Sequence, residues 1–150
     1  MAFQQELYKK DFYAWCFQQA ALLKDKNYGI LDMENIIEEL ESMGGNQEYQ
    51  LINRLKQLFI HLLKCKYQPE KRTRSWELSI IDQRDMISFL IYKNPSLKHC
   101  FDECVKQAYK FSRTLAAKQT GLSLKNFPTE MPFTSEEALK EDWFPNEKSC

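Results

Sequence analysis

Residues 46–66 read NQEYQLINRLKQLFIHLLKCK, and this stretch decides the fold. Leu51, Ile52, Leu55, Leu58, Phe59, Leu62 and Leu63 recur at steps of three and four, the repeat that gathers side chains on one side of an α-helix. The stripe is wide enough to pack against two or more helices, so the spacing predicts the central helix of a bundle, from an Asn46 cap to about Lys66. His61 falls outside the stripe, on the side shared by Arg54, Gln57, Lys64 and Cys65.

Downstream, Pro69 stops the helix within a basic run, Lys64, Lys66, Lys71, Arg72 and Arg74, offset by Glu70 and flanked by Tyr67 and Trp76. Ser75 is the expected cap of the next helix, with Trp76, Ile80, Gln83, Ile87, Leu90 and Ile91 inward and Leu78 and Phe89 on a second, narrower face. Asn94-Pro95 then opens a helix that aligns Leu97, Phe101, Cys104, Ala108, Phe111 and Leu115 and stops at Gly121, the longest helix expected. Leu122, Leu124, Phe127, Pro128, Pro132 and Phe133 are too apolar for a solvated linker and read as a segment laid across the bundle. Thr134 and Glu137 form a capping box for a short helix through Leu139, ended by Trp143-Phe144-Pro145.

Upstream, Gly44-Gly45 is the expected break between the central helix and its predecessor, and two consecutive helices joined by two glycines are expected to pack as an antiparallel hairpin. In that predecessor, capped by Asp32, the residues Met33, Ile36, Ile37, Leu40 and Met43 make the cleanest amphipathic pattern of the chain and are predicted to face inward. Asp32, Glu34, Glu38, Glu39 and Glu41 lie along it with no base between them, Glu39 and Glu41 on the borders of the stripe. A first helix begins near Asp11, turns Phe12, Trp15, Cys16, Gln19, Leu22 and Leu23 inward, and ends at Lys26-Asn27-Tyr28-Gly29. The expectation is therefore all-α: one domain over residues 1–150, a single bundle of about five main helices with a wrapped C-terminal extension and a short terminal helix.

Composition agrees, because four glycines and five prolines in 150 residues are too few for a turn-rich β protein. Lys plus Arg, 21, balances Asp plus Glu, 21, so no bulk field draws the molecule to nucleic acid or to an anionic membrane. Cys16, Cys65, Cys100, Cys104 and Cys150 are odd in number and lack C-x-x-C spacing, and the first ten residues hold no apolar leader; the cytoplasm is the expected location. The apolar run Leu58 to Leu63 is interrupted by His61 and ends at Lys64, so no membrane span is expected.

Three groupings of residues carry potential chemistry. In the first, Glu39 or Glu41 meets His61 and the basic groups Arg72, Arg74 or Arg84, the carboxylate orienting His61 as a base while Tyr67 or Arg74 binds substrate, a hydrolase-like arrangement. Its simpler alternative has the two glutamates neutralising Arg72, Arg74 or Arg84, with His61 as a hydrogen-bonded packing residue. In the second, Lys71, Arg72 and Arg74 with Tyr67 and Trp76 meet phosphates and stack bases, against the simpler reading of a basic loop paired with the acidic helix. In the third, His61 and Cys65 with His99, Cys100 and Cys104 offer soft ligands, but Cys104 belongs to an apolar stripe, and the cysteines are assigned to packing with no metal. Phosphate-loop and dinucleotide glycine patterns are absent, so no cofactor is expected. The aromatic residues Phe12, Trp15, Phe127, Phe133, Trp143 and Phe144 are assigned mainly to the core.

Several segments together resemble the bacterial family called domain of unknown function 29. They are Tyr8 to Trp15 (YKKDFYAW), Ile36 to Gly44 (IIEELESMG), His61-Leu62-Leu63-Lys64 with Tyr67-Gln68-Pro69, and Arg74-Ser75-Trp76. A further pattern runs from Thr120-Gly121-Leu122 to Phe127-Pro128, so the resemblance covers almost the whole chain. It implies an all-helical fold and no particular activity. The family pattern carries Trp where this chain has Cys65, which argues against a role that needs a thiol there. Since no catalytic motif stands out, the reading adopted is a binding or adaptor module with a protein partner, its working surface the basic loop Lys64 to Arg74 and the neighbouring acids. The alternatives are a nucleic-acid or phosphate-ligand binder using that loop, and an enzyme around His61 with Glu39 or Glu41.

Overall fold

The computed structural model describes residues 2–145, and Cys150 lies outside them. Among the described residues there is no strand, and the architecture is the all-helical bundle that periodicity predicts. Six α-helices follow one another: α1 (Ala2–Lys10), α2 (Phe12–Lys24), α3 (Met33–Tyr67), α4 (Arg74–Lys93), α5 (Phe101–Thr120) and α6 (Ser135–Leu139). The chain divides into two compact units, Met1–Asn46 and Gln47–Cys150.

The first unit is built around Trp15. Asp11 joins α1 to α2: its backbone N–H donates to Leu7 O at 2.8 Å and its side chain accepts from Ala14 N at 3.0 Å, capping α2 as expected. α2 closes with a paired C-terminal turn in which Lys26 N donates to Leu23 O and Asn27 N to Leu22 O. That turn holds Lys26 at φ 57°, a conformation that glycine adopts at less cost. The Trp15 indole donates to Asp32 Oδ2 at 3.0 Å, and Asp32 N donates to the Gln19 amide oxygen at 2.8 Å, so α2 grips the chain just before α3. The Tyr8 ring stands edge-on to Trp15 with centroids 4.8 Å apart.

In the second unit the C-terminal half of α3 is central. Leu51, Leu55, Leu58, Phe59, Leu62 and Leu63 are buried against Ile80, Ile87 and Leu90 of α4, Cys104, Val105 and Ala108 of α5, and Phe127 and Phe133 beyond it. Small side chains at Ala108, Ser112 and Ala116 let α5 approach closely, and the Ser112 hydroxyl lies 3.0 Å from Lys56 O. Gly121, at φ 73°, caps α5, and Thr134 and Glu137 form the expected capping box of α6. The wrapped extension is held by side chains that donate to its carbonyls: Tyr109 to Pro128, Arg113 to Phe127 and Arg84 to Ala138, Glu141 and Trp143.

Several boundaries differ from the sequence reading. Gly44-Gly45 does not break a helix, and Asn46 does not cap one. Residues 33–67 are one 35-residue helix, which makes α3 the longest element in place of α5. The antiparallel hairpin expected around the glycines is therefore absent. α4 is capped by Thr73, whose hydroxyl accepts from Trp76 N, rather than by Ser75. Pro95–His99 forms a separate 3-10 turn before α5, because Cys100 departs from helical geometry at φ −105°, ψ 5°. Leu78 and Phe89, expected to make a second contact face, are exposed, as is Phe111.

Candidate functional site

The expected base, His61, is half-buried on α3, and its Nδ1 lies 2.8 Å from Gln57 O one turn earlier. The carbonyl can only accept, so Nδ1 carries the proton and the ring is held by its own helix rather than by a carboxylate. Burial pushes its pKa below 6.5, with the Gln57 bond opposing and Lys64 reinforcing the shift. Glu39 instead accepts from the Tyr8 hydroxyl, an acid-to-phenol bond that raises the Tyr8 pKa to about 12. Glu41 is exposed on α3.

The basic residues find their own partners within the second unit. Arg72 Nε lies 3.1 Å from Glu77 Oε1, and Arg74 Nη1 lies 3.2 Å from Glu77 Oε2. Arg72 also stacks over Phe144 at 4.2 Å, and Lys64 sits 4.4 Å above the Trp76 ring. Tyr67 packs edge-on against the buried Phe127, with centroids 5.1 Å apart, and burial raises its phenol pKa. Lys71 is exposed in the 3-10 turn Pro69–Lys71. Arg84, 4% exposed, donates to three carbonyls at 2.6–2.9 Å and so anchors the C-terminal extension. The carboxylate that receives Arg72 and Arg74 is thus Glu77 of α4, in place of the border acids anticipated from sequence.

A cleft of about 580 Å³ lies beside α5, its apolar wall formed by Val105, Tyr109 and Met131 and its rim carrying Lys106, Lys110 and Arg113. Two of its polar groups are already engaged. The Tyr109 hydroxyl donates to Pro128 O, with burial raising its pKa to about 12, and Arg113 Nε donates to Phe127 O.

The soft-ligand candidates separate. Cys65 is buried, and burial raises its thiol pKa. Cys100 and Cys104 come together with Glu48, ligand atoms mutually within 4.8 Å, a grouping that includes neither His61 nor His99. Burial first, then hydrogen bonding to Cys100, lifts the Cys104 thiol to about 12. An uncharged thiol of this kind is a poor nucleophile. The i, i+4 spacing of the two cysteines was readable in the sequence, whereas Glu48 is brought in by tertiary packing and carries no local signal.

The largest departure from expectation concerns the amphipathic stripe of residues 33–43. Met33, Ile37, Leu40 and Met43 are 53%, 49%, 61% and 62% exposed.

The family described as Domain of unknown function DUF29 matches residues 7–144. The chain belongs to the DUF29 family. No curated protein and no solved structure matches it. DUF29 membership accounts for the resemblance from Tyr8 to Pro128 and brings no activity with it, so any reading of this DUF29 chain rests on its own geometry. No helix among the described residues is long and apolar enough to cross a membrane.

Proposed function

We propose that this protein is a non-catalytic binding module that receives a cationic amphipathic helix along residues 33–43 of α3. The observation that carries this reading is the row Met33, Ile37, Leu40 and Met43, at spacing i, i+4, i+7 and i+10, each about half exposed or more. Contiguous exposed apolar rows rimmed by polar residues mark interaction surfaces, and this spacing suits the helix-in-groove mode of recognition. Covering the remaining exposed area of four such side chains is worth roughly 3–5 kcal/mol before the cost of association.

The partner's charge follows from the flanks. Glu34, Glu38 and Glu41 are exposed beside the row, and no Lys or Arg occurs between Asp32 and Asn53. A second copy laid on the same row would set acid against acid, whereas Lys or Arg flanks would add attraction to apolar burial. The basic loop is a weaker working surface, because Arg72 and Arg74 already face Glu77. A non-catalytic role is supported by the engagement of His61 with a carbonyl and of Glu39 with Tyr8.

The test is fluorescence anisotropy with a labelled helical peptide of Leu and Lys, using its Leu and Glu counterpart as control. The expected result is binding of the cationic peptide only, weakened on the order of ten-fold in Leu40→Ser/Met43→Ser. Equal binding by wild type and that variant would reject the surface. Self-association of the wild type in sedimentation experiments, lost in the same variant, would replace the foreign helix by a second copy.

A further inference from the structure

We propose that Glu48, Cys100 and Cys104 form a binding site for a thiophilic divalent cation of the zinc class. Glu48 comes from α3, Cys100 immediately precedes α5 and Cys104 lies one turn inside it. The two sulfurs are 3.8 Å apart. Two thiolates bound at about 2.3 Å to one tetrahedral ion lie about 3.8 Å from each other, so the pair has the separation a shared metal requires before any metal is present. The three ligand atoms, two sulfurs and one carboxylate oxygen, all fall within 4.8 Å of one another. Glu48 is exposed, so its long side chain is the ligand with the rotameric freedom to adjust.

The electrostatics favour a cation. The carboxylate beside the two sulfurs is Glu48, and Glu103 stands next to Cys104 in the chain, both acidic. Binding releases two thiol protons to solvent, and two thiolates plus one carboxylate around a divalent ion leave a net single negative charge. Cys104 is buried, Cys100 half-buried and Glu48 exposed, an order that gives the site a floor and a mouth. Sulfur ligands select zinc, cadmium or cobalt over magnesium and calcium, and three protein ligands leave a fourth position for water or an outside ligand. This site is independent of the helix-binding row, since it shares no residue with it.

Cobalt is the probe. Full-length protein, reduced with a phosphine and stripped by chelation, is titrated with Co²⁺ while the ultraviolet sulfur-to-cobalt charge-transfer band is followed. One cobalt per chain is expected, displaced by zinc, with the band lost in Cys100→Ser and in Cys104→Ser and retained in Cys16→Ser. Glu48→Gln is expected to keep the band and weaken cobalt binding on the order of ten-fold. A wild type without the band, a band that survives Cys100→Ser, or equal affinity of Glu48→Gln and wild type would each overturn the site. Circular dichroism of every variant reports folding, and the exposed Glu48 position keeps the test decisive even if Cys104→Ser unfolds.

Discussion

Arg84 ends its buried side chain on three main-chain carbonyls, whereas Arg74 ends its exposed one on Glu77, its i+3 neighbour in α4. Replacing Arg84 by Met leaves the carbonyls of Ala138, Glu141 and Trp143 without their donor, and urea unfolding should show a loss of about 3–4 kcal/mol. Arg74→Ala should lie within about 0.5 kcal/mol of wild type, because its side chain is 73% exposed and solvent screens the pair. His61 makes a pH-dependent contribution of definite sign. Its folded pKa lies below 6.5, so the unfolded chain takes up the proton first, and the stability gained from the neutral ring, fully present above pH 6.5, declines as the solution is acidified through and below that value. Urea unfolding at pH 7.5 and 5.5 should therefore show a smaller acid-induced loss for His61→Gln than for wild type. Cationic character at 64–74 was legible from composition, whereas the three carbonyls that hold Arg84 lie more than fifty positions away from it.

At the scale of elements, the caps at Asp11, Gly121 and Thr134 with Glu137 were readable because each is settled within three or four residues. Gly44-Gly45 resembles a helix break for the same local reason, yet two glycines cost a helix about 2 kcal/mol relative to alanine, which is too little to stop one extended by good helix formers on both sides. A Cβ at either position meets nothing within 4 Å, and neither has a positive φ. Gly44→Ala and Gly45→Ala should each stabilise the protein by roughly 0.5–1 kcal/mol, raising Tm by about 1–4 °C in thermal unfolding followed by circular dichroism. A fall in Tm would show that the pair is needed for something other than helix. Residues 33–43 belong to that continuous helix, and Met33, Ile37, Leu40 and Met43 of their stripe are exposed.

Across the whole molecule the apolar core is unevenly distributed. Its connected cluster runs from Leu51 to Ala138, whereas the buried residues of the first unit include the polar Gln4, Gln19 and Asp32 beside Trp15 and Leu31. Among the described residues, the buried side-chain atoms without a protein hydrogen-bond partner, Gln4 Oε1, Gln18 Oε1 and Gln19 Nε2, also belong to the first unit. Hydrogen exchange read by mass spectrometry should therefore find amides of residues 3–43 exchanging faster than those of Leu55 to Leu63, since local opening there exposes less apolar surface. Equal protection in the two stretches would contradict this distribution. The sequence by itself determined that the chain is helical, that caps fall at Asp11, Gly121 and Thr134, and that the stretch from Leu51 to Leu63 forms the centre of a core, because period and these caps are properties of neighbouring residues. Tertiary structure alone decided that the row from Met33 to Met43 is exposed, that Arg84 ends on the carbonyls of Ala138, Glu141 and Trp143, and that Glu48 stands beside Cys100 and Cys104. Those outcomes depend on which distant surfaces meet, and a side chain carries no local mark of a partner supplied by another turn of the fold.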